Sequence, residues 1–211
     1  MKVLKFGGSS VGTPERIQNL IEILQTYQAR GDQFTVVFSA FSGITDSLIE
    51  MATLAAKGSE NYLTPFRKLV ERHDAACDFL LNEQYSTKAK AGLHQNHKEL
   101  ENILRGIYLV REASARTMDY VTSFGERNSS YVIAYAMDQR GIASEFLDAR
   151  EIIKTDKNFG SAKVDFEQTY PLIKEYYAAH PKTQVVTGFI SSAKGGLTTT
   201  LGRGGSDYTA S

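Results

Sequence analysis

A lysine followed by a glycine pair and two serines opens the chain, in the stretch KVLKFGGSSVG. The residues concerned are Lys5, Gly7, Gly8, Ser9 and Ser10. Glycines let backbone N–H groups approach an anion closely, serine hydroxyls add donors, and a lysine supplies charge for a phosphoryl group in transfer. Because the lysine precedes the glycines, the stretch is not a Walker A loop, in which the lysine follows them. The residues alone leave two interpretations open, a phosphate site or a tight turn beside an exposed lysine.

A second glycine-rich turn surrounds an arginine in the stretch GRGGSDYTAS, residues 202–211. Its candidate binding residues are Arg203, Gly205, Ser206 and Asp207. An arginine held in such a turn offers a bidentate fork to a carboxylate or phosphate, and the serine with the amides behind it could bind a second anion. The alternative is a β-turn with a solvated arginine, followed by a capped helix. The glycines on both sides of the arginine favour a binding site.

Two further stretches place polar side chains where a ligand could bind. SFGER fits the capping box S-x-x-E, so Glu126 either caps a helix that begins at Ser123 or recognises an ammonium group. The pattern alone favours the cap. SAFSGITD follows a buried strand and carries Ser39, Ser42 and Thr45, at the position where open α/β sheets bind ligands. Ser42 or Thr45 could also cap the next helix.

The composition limits the possible partners. The 211 residues include 24 basic and 24 acidic side chains, which gives no electrostatic case for nucleic acid. No run approaches the roughly 18 apolar residues of a membrane-spanning helix. The single cysteine, Cys77, excludes an internal disulfide, is typical of a packed inert thiol, and fits a cytoplasmic location. His94 and His97 lack further ligands, so we expect a solvated helix surface there and no metal site.

Strands and helices alternate along the chain, which predicts an α/β fold with a mostly parallel open sheet. A strand at 2–6, a helix from Thr13 to Gly31 and a buried strand at 34–40 form the first β-α-β unit. Helical periodicity dominates residues 65–119, as in an all-helical insertion. Next come a helix from 123 to Gly141, strands at 143–148, 150–155, 183–191 and 197–202, and a helix at 165–181 before the third of these strands.

Together, and in this order, the four motifs resemble those of the aspartate kinases in the amino acid kinase family. KFGGSSVG is similar to that group's K-F-G-G-T-S-V opening, with Ser9 in place of the usual threonine, so that the hydroxyl is kept. SAFSGITD, SFGER and GFISSAKGGLTTTLGRGGSDYTA are similar to its later segments. The resemblance covers essentially the whole chain and implies a three-layer αβα sandwich, the amino acid kinase fold.

The resemblance implies ATP-dependent phosphorylation of the β-carboxylate of L-aspartate to 4-phospho-L-aspartate, with ATP and Mg²⁺ as cofactors. That reaction is the first step toward lysine, threonine and methionine. The catalytic residues it implies are Lys5 and Asp207. The phosphate-binding residues it implies are Lys5, Gly7, Gly8, Ser9, Ser10, Gly205 and Ser206. The substrate-binding residues it implies are Ser39, Thr45, Glu126, Arg203 and Ser206. Glu126 would bind the α-ammonium group and Arg203 the α-carboxylate.

The resemblance also implies a domain that continues past residue 211. We therefore expect residues 1–211 to be the N-terminal, aspartate-binding part of the catalytic domain, without its nucleotide-binding half and two regulatory ACT domains. Ser206 and Asp207 are typical of a helix start, and the helix that they begin would have about one turn. Such a chain is expected to be inactive by itself, and the full-length protein to be a homo-oligomer. The alternatives are a non-catalytic ligand-binding fragment and a kinase of another amino acid.

Overall fold

A four-stranded parallel sheet with helices on both faces forms the centre of the computed structural model, which describes residues 1–211. The strands are β1 (Lys2–Phe6), β2 (Phe34–Phe38), β3 (Ser144–Leu147), β4 (Lys154–Thr155), β5 (Thr183–Thr187), β6 (Ile190–Ala193) and β7 (Leu197–Thr200). The helices are α1 (Pro14–Ala29), α2 (Ile44–Ala56), α3 (Leu63–Leu80), α4 (Glu83–Val110), α5 (Ala115–Gln139), α6 (Phe166–Ala179) and α7 (Gly205–Ala210). The parallel sheet has the order β1-β2-β5-β3, and β4, β6 and β7 form a smaller sheet.

The first β-α-β unit forms as its sequence predicts. Thr13 caps α1 by accepting a hydrogen bond from the backbone N–H of Arg16, and Pro14 is the first helical residue, where no helical hydrogen bond is lost. Gly31 follows the helix with a φ of +74°, a conformation that glycine adopts without strain. All five residues of β2 are buried, and β1 pairs with β2 in parallel. Both strands therefore end at the same edge of the sheet.

Alternate residues of the central strands point into two different cores. Val36 and Phe38 of β2 pack into a large core beneath α1 to α5, whereas Val37 packs with Val186 into a smaller core beneath α6. The helical insertion predicted at 65–119 corresponds to α3, α4 and the start of α5, on the side of the large core. The two cores make the fold three-layered, as predicted.

α5 begins at Ala115, upstream of the predicted start at Ser123. Ser114 is the N-cap and accepts a hydrogen bond from an N–H of the first turn. Ser123 lies in the helix interior and donates to the carbonyl of Tyr120, so the capping-box interpretation of Glu126 is wrong. The pattern misleads because a small hydroxyl residue inside a buried helix can bond back to the preceding turn.

The predicted strand at 150–155 is wrong over most of its length. Ala149–Glu151 form one turn of 3₁₀-helix, and only Lys154–Thr155 pair with β6. Asp148 accepts a hydrogen bond from the backbone N–H of Arg150 and forms an ion pair of 2.6 Å with its guanidinium. These local bonds stabilise a turn in competition with extended backbone.

The helical layer buries two of the four histidines. The prediction of a solvated surface holds for His94 but is wrong for His97, which is buried against His73 with ring centroids 5.7 Å apart. Residues three apart differ by only about 60° around a helix, so His94 lies at the solvent border of the face that buries His97. Cys77 is also buried, and burial raises the pKa of its thiol to about 12. No helix has both the length and the apolar character to span a membrane.

Candidate active site

A cleft of about 430 Å³ opens at the carboxyl ends of β1, β2 and β5. Its walls include the β1–α1 loop, the β2–α2 loop, the middle of α5 and the β7–α7 loop. The sequence-predicted site residues that line it are Lys5, Gly8, Ser9, Ser39, Thr45, Glu126, Arg203, Gly205, Ser206 and Asp207. Parallel strands bring the loops that follow them to one edge of the sheet, so motifs far apart in sequence meet here.

Gly7 and Ser10 are the two predicted residues that do not line this cleft. Gly7 adjoins it, since a Cβ built there would lie 3.5 Å from Lys5 Nζ. The backbone N–H of Ser10 donates to the carbonyl of Gly7 at 2.9 Å, and this turn leaves Ser10 in a separate surface groove beside Arg16. The structure therefore places Ser10 outside the cleft, in a groove that Ser9 also lines.

Lys5 and Asp207 meet at the open end of the cleft. Lys5 Nζ lies 2.7 Å from Asp207 Oδ1, and 69% of the Asp207 side chain is exposed, against 26% for Lys5. Lys5 is positioned by the end of β1, and Asp207 by the first turn of α7. An ion pair this exposed contributes about 1 kcal/mol or less, so Lys5 can exchange the carboxylate for an incoming phosphate at little cost.

Ser39 and Ser206 join the loop after β2 to the start of α7. Ser39 Oγ donates to Ser206 Oγ at 3.0 Å. Gly188, which sequence reasoning missed, makes room for this contact, because a Cβ there would lie 2.5 Å from Ser206 Oγ. Its N–H also donates to the carbonyl of Phe38 at 2.8 Å. A side chain at position 188 would displace Ser206.

Glu126 lies on the middle of α5, at the buried end of the cleft, and only 3% of it is exposed. Its Oε1 accepts a hydrogen bond of 3.1 Å from the backbone N–H of Ala40, whereas its Oε2 has no partner. Gly125 lets α5 approach this closely, because a Cβ there would lie 2.8 Å from the Cβ of Ala40. Burial raises the pKa of Glu126 to about 8. A buried carboxyl group with one unpaired oxygen is suited to a cationic ligand.

The N-terminus of α2 borders the same cleft. Gly43, with a φ of +78°, precedes the first helical residue, and no side chain caps the helix. The alternative interpretation, in which Ser42 or Thr45 caps α2, is therefore wrong, and both residues line the cleft. The partial positive charge of a helix N-terminus favours an anionic group at this position.

Arg203 is exposed at the rim of the cleft, in a turn where Gly202 and Gly204 have φ values of +72° and +74°. The strand before this turn is attached to α5 by Asp119. The buried Asp119 carboxylate accepts hydrogen bonds from the N–H of Thr200 at 3.0 Å and from its hydroxyl at 2.8 Å. The long helix α5 thus positions two walls of the cleft.

Sequence reasoning also missed residues that support the loops. Phe41 lines the cleft and stacks on His73 with ring centroids 5.1 Å apart. Phe189 lines it with a left-handed φ of +67°, unusual for a bulky side chain. Arg72 of α3 donates to backbone carbonyls in two of the loops. No motif marks these residues, because their roles depend on elements that are distant in sequence.

The profile of the amino acid kinase family matches residues 1–211. The chain belongs to the amino acid kinase family. The structure of E. coli aspartokinase III in complex with lysine and aspartate (T-state) is similar to it, with a TM-score of 0.87 and 26% identity over 100% of this chain and 45% of that one. The structure of the same enzyme with aspartate and ADP (R-state) has a TM-score of 0.81 at the same identity and coverage. These likenesses confirm the predicted αβα fold.

Curated relatives confirm the resemblance to aspartokinases. Aspartokinase 1, chloroplastic, of Arabidopsis thaliana is 34% identical over 99% of this chain and 37% of its own length. Bifunctional aspartokinase/homoserine dehydrogenase 2, chloroplastic, of the same plant is 29% identical over 99% of this chain and 23% of its own length. The chain thus spans about a quarter to less than half of the length of these relatives.

Proposed function

We propose that this chain carries the aspartate-binding and phosphate-binding parts of an aspartate kinase. The enzyme would transfer the γ-phosphoryl group of ATP to the β-carboxylate of L-aspartate and form 4-phospho-L-aspartate, on the route to lysine, threonine and methionine. The observation that carries the proposal is the buried Glu126 carboxyl group, with one unpaired oxygen, in the same cleft as Lys5. The similar aspartokinase III structures are complexes with aspartate, which supports it.

The cleft has complementary groups for each charge of aspartate. Glu126 binds the α-ammonium group, because that group supplies a charged hydrogen-bond donor to the unpaired oxygen. Arg203, exposed at the rim, receives the α-carboxylate through its guanidinium fork. Ser39 and Thr45 line the same cleft. The β-carboxylate then faces Lys5, beside which the γ-phosphate would lie.

The proposed reaction needs no general base, because a β-carboxylate is already ionised at neutral pH. A carboxylate oxygen attacks the γ-phosphorus and forms an O–P bond. The bond from the γ-phosphorus to the bridging oxygen breaks, and ADP leaves with the electron pair. Lys5 Nζ and the backbone amides of Gly7 and Gly8 stabilise the charge on the transferring group. Catalysis then depends on positioning and charge neutralisation.

Asp207 and the expected Mg²⁺ complete the proposed phosphate end. Asp207 orients Lys5 before nucleotide binds, through the ion pair of 2.7 Å. No group of three or more His, Cys, Asp or Glu side chains could hold a metal ion by itself. The donors present fit Mg²⁺, which usually keeps several waters and binds one or two carboxylates together with phosphate oxygens. Asp207 and Asp46, which both line the cleft, would supply the carboxylates, and the ion would neutralise phosphate charge.

A hydroxamate assay tests the proposal, because hydroxylamine traps acyl phosphates. The protein as encoded by its gene is incubated with ATP, Mg²⁺ and one of L-aspartate, L-glutamate or L-asparagine. We expect hydroxamate to form with aspartate. Turnover of another acceptor and none of aspartate would contradict the proposal. Aspartate binding in a calorimeter, without turnover of any acceptor, would favour the non-catalytic ligand-binding alternative.

We further propose that the full-length protein is a cytoplasmic homo-oligomer, with small molecules rather than nucleic acid or a membrane as its partners. The balanced charge of 24 basic and 24 acidic residues supports the exclusion of nucleic acid. Light scattering of the purified protein measures the assembly, and cell fractionation measures the location. A monomer would contradict the proposed homo-oligomer, and recovery of the protein with an organelle would contradict the proposed cytoplasmic location.

A further inference from the structure

Arg72 of α3 joins two loops of the cleft. Its Nη1 donates to the carbonyl of Ser42 at 2.7 Å, and its Nη2 donates to the carbonyl of Gly12 at 2.9 Å. Gly12 belongs to the β1–α1 loop and Ser42 to the β2–α2 loop. One planar guanidinium therefore spans segments that follow two neighbouring strands, a geometry that its fixed fork allows.

The two loops touch each other directly beside Arg72. A Cβ at Gly8 would lie 3.2 Å from the carbonyl oxygen of Ala40, and a Cβ at Gly12 would lie 3.5 Å from the Cβ of Ser42. Such close packing leaves the loops little room to move independently. A group that fixes one loop thus also fixes the other.

The same two loops have different tasks in the proposed reaction. The β1–α1 loop carries Gly8 and Ser9, which are assigned to phosphate, and the β2–α2 loop carries Ser39, which is assigned to aspartate. The separation of the γ-phosphorus from the attacking carboxylate oxygen therefore depends on how the loops are held together. Transfer rates are sensitive to such separations.

Arg72 has no acidic partner. Its side chain is half-buried, burial lowers its pKa, and no carboxylate contributes to that change. The guanidinium carbon lies 6.0 Å from the ring centroid of Phe41, which lines the cleft. The two loop carbonyls are therefore the hydrogen-bond acceptors of this cation.

We propose that Arg72 is a positioning residue, which fixes the phosphate-binding loop against the aspartate-binding loop through hydrogen bonds to Gly12 and Ser42. The proposal rests on the proposed function for the identity of the two ligands. Arg72 acts through the loop backbone and does not itself line the cleft. Its loss should slow phosphoryl transfer more than it weakens binding, because each ligand keeps its own loop.

Steady-state kinetics of the protein as encoded, with the variants Arg72→Lys and Arg72→Met, test this inference. Arg67→Met is the matched control, since Arg67 is exposed on the same helix. We expect kcat to fall about 10- to 100-fold in both Arg72 variants, with the KM for aspartate changed less than about threefold. Lysine should not restore the rate, because its ammonium group lacks the planar fork.

Hydrogen–deuterium exchange gives a second measurement that needs no activity. In the Arg72 variants we expect the amides of residues 7–12 and 40–43 to exchange at least about fivefold faster than in the wild type, while those of the central strands keep their rates. Arg67→Met should leave the loop amides unchanged. If Arg72→Met does not fold, Arg72→Lys serves for both measurements.

The outcomes separate this inference from the proposed function. Unchanged kcat and unchanged loop exchange in Arg72→Lys would overturn the role of Arg72, and so would faster exchange throughout the chain. If Arg72→Lys were fully active and Arg72→Met were impaired, a positive charge alone would be sufficient. That result would contradict a role for the planar guanidinium fork. A wild-type protein with no aspartate kinase activity would overturn the proposed function, and the loop exchange would still decide whether Arg72 holds the loops.

Discussion

The two ends of the cleft differ in burial and in how their charged groups are satisfied. Glu126 is almost fully buried and has one oxygen without a partner. Lys5 and Asp207 form an ion pair of 2.7 Å in which Asp207 is largely exposed. Water solvates the charges at the exposed end, whereas burial disfavours the ionised form of the Glu126 carboxyl group until a cationic ligand binds. The buried end is therefore suited to selecting a ligand, and the exposed end to exchanging partners during a reaction.

Loss of the lysine at the exposed end should give the largest effect. Lys5→Ala is expected to lower kcat about 10²- to 10³-fold, because it removes a preorganised charge from the transferring group. The Kd for aspartate, measured by calorimetry, should change little. Lys2→Ala is a matched control, since Lys2 lies on the same strand and pairs with Asp32 outside the cleft. Equal losses of aspartate binding and of turnover would contradict the division between the two ends.

Removing the charge of Glu126 at the buried end should weaken aspartate binding and leave ATP binding unchanged. Glu126→Gln keeps the shape of the side chain and is expected to weaken aspartate binding about 10- to 100-fold, as for a lost hydrogen bond to a charged group. ATP binding should stay unchanged, because the phosphate end is intact. Calorimetry with each ligand measures both. Unaltered affinity for aspartate would remove Glu126 from substrate recognition.

Burial of Glu126 should also link aspartate binding to proton release. Since burial raises the pKa of Glu126 to about 8, the free protein holds this carboxyl group mostly protonated at pH 7. An α-ammonium group favours the carboxylate, so binding at pH 7 should release up to about one proton. Calorimetry in buffers with different ionisation enthalpies measures the release, which Glu126→Gln should abolish. Binding enthalpies that do not depend on the buffer would contradict this linkage.

The same raised pKa has a consequence for the unliganded fold. The folded state holds the proton of Glu126 more tightly than the unfolded chain does. The stabilising contribution is therefore complete below the ordinary pKa of 4.5 and is lost as the pH rises toward about 8. Denaturation of wild type and Glu126→Gln at several pH values measures this contribution as the difference between the two pH profiles.

The smallest effect is expected from the exposed ion pair. Asp207→Asn should change the free energy of unfolding by less than about 1 kcal/mol, because water and salt screen a pair this exposed. Urea denaturation at low and at high salt measures the change. A loss of several kcal/mol would show that the pair is buried in solution and that the two ends are alike.

Local signals determined a large part of the fold. Thr13, Pro14 and Gly31 predicted the bounds of α1, and Gly141 predicted the end of α5. Caps and glycine stops act through neighbouring backbone groups, so they can be read without the rest of the molecule. Local signals wrongly predicted a strand at 150–155, because the ion pair of Asp148 with Arg150 stabilises a turn there.

By itself, the sequence determined which chemical groups the loops carry and where chain turns present them. The sequence alone shows that Lys5 precedes a pair of glycines and that Arg203 lies between glycines. Only the tertiary structure decided that Glu126 is a buried group inside a helix rather than a cap, that Ser10 lies outside the cleft, and that Arg72 joins two loops. The reason is that burial and contact through space depend on elements far apart in the chain, which the parallel sheet brings to one edge.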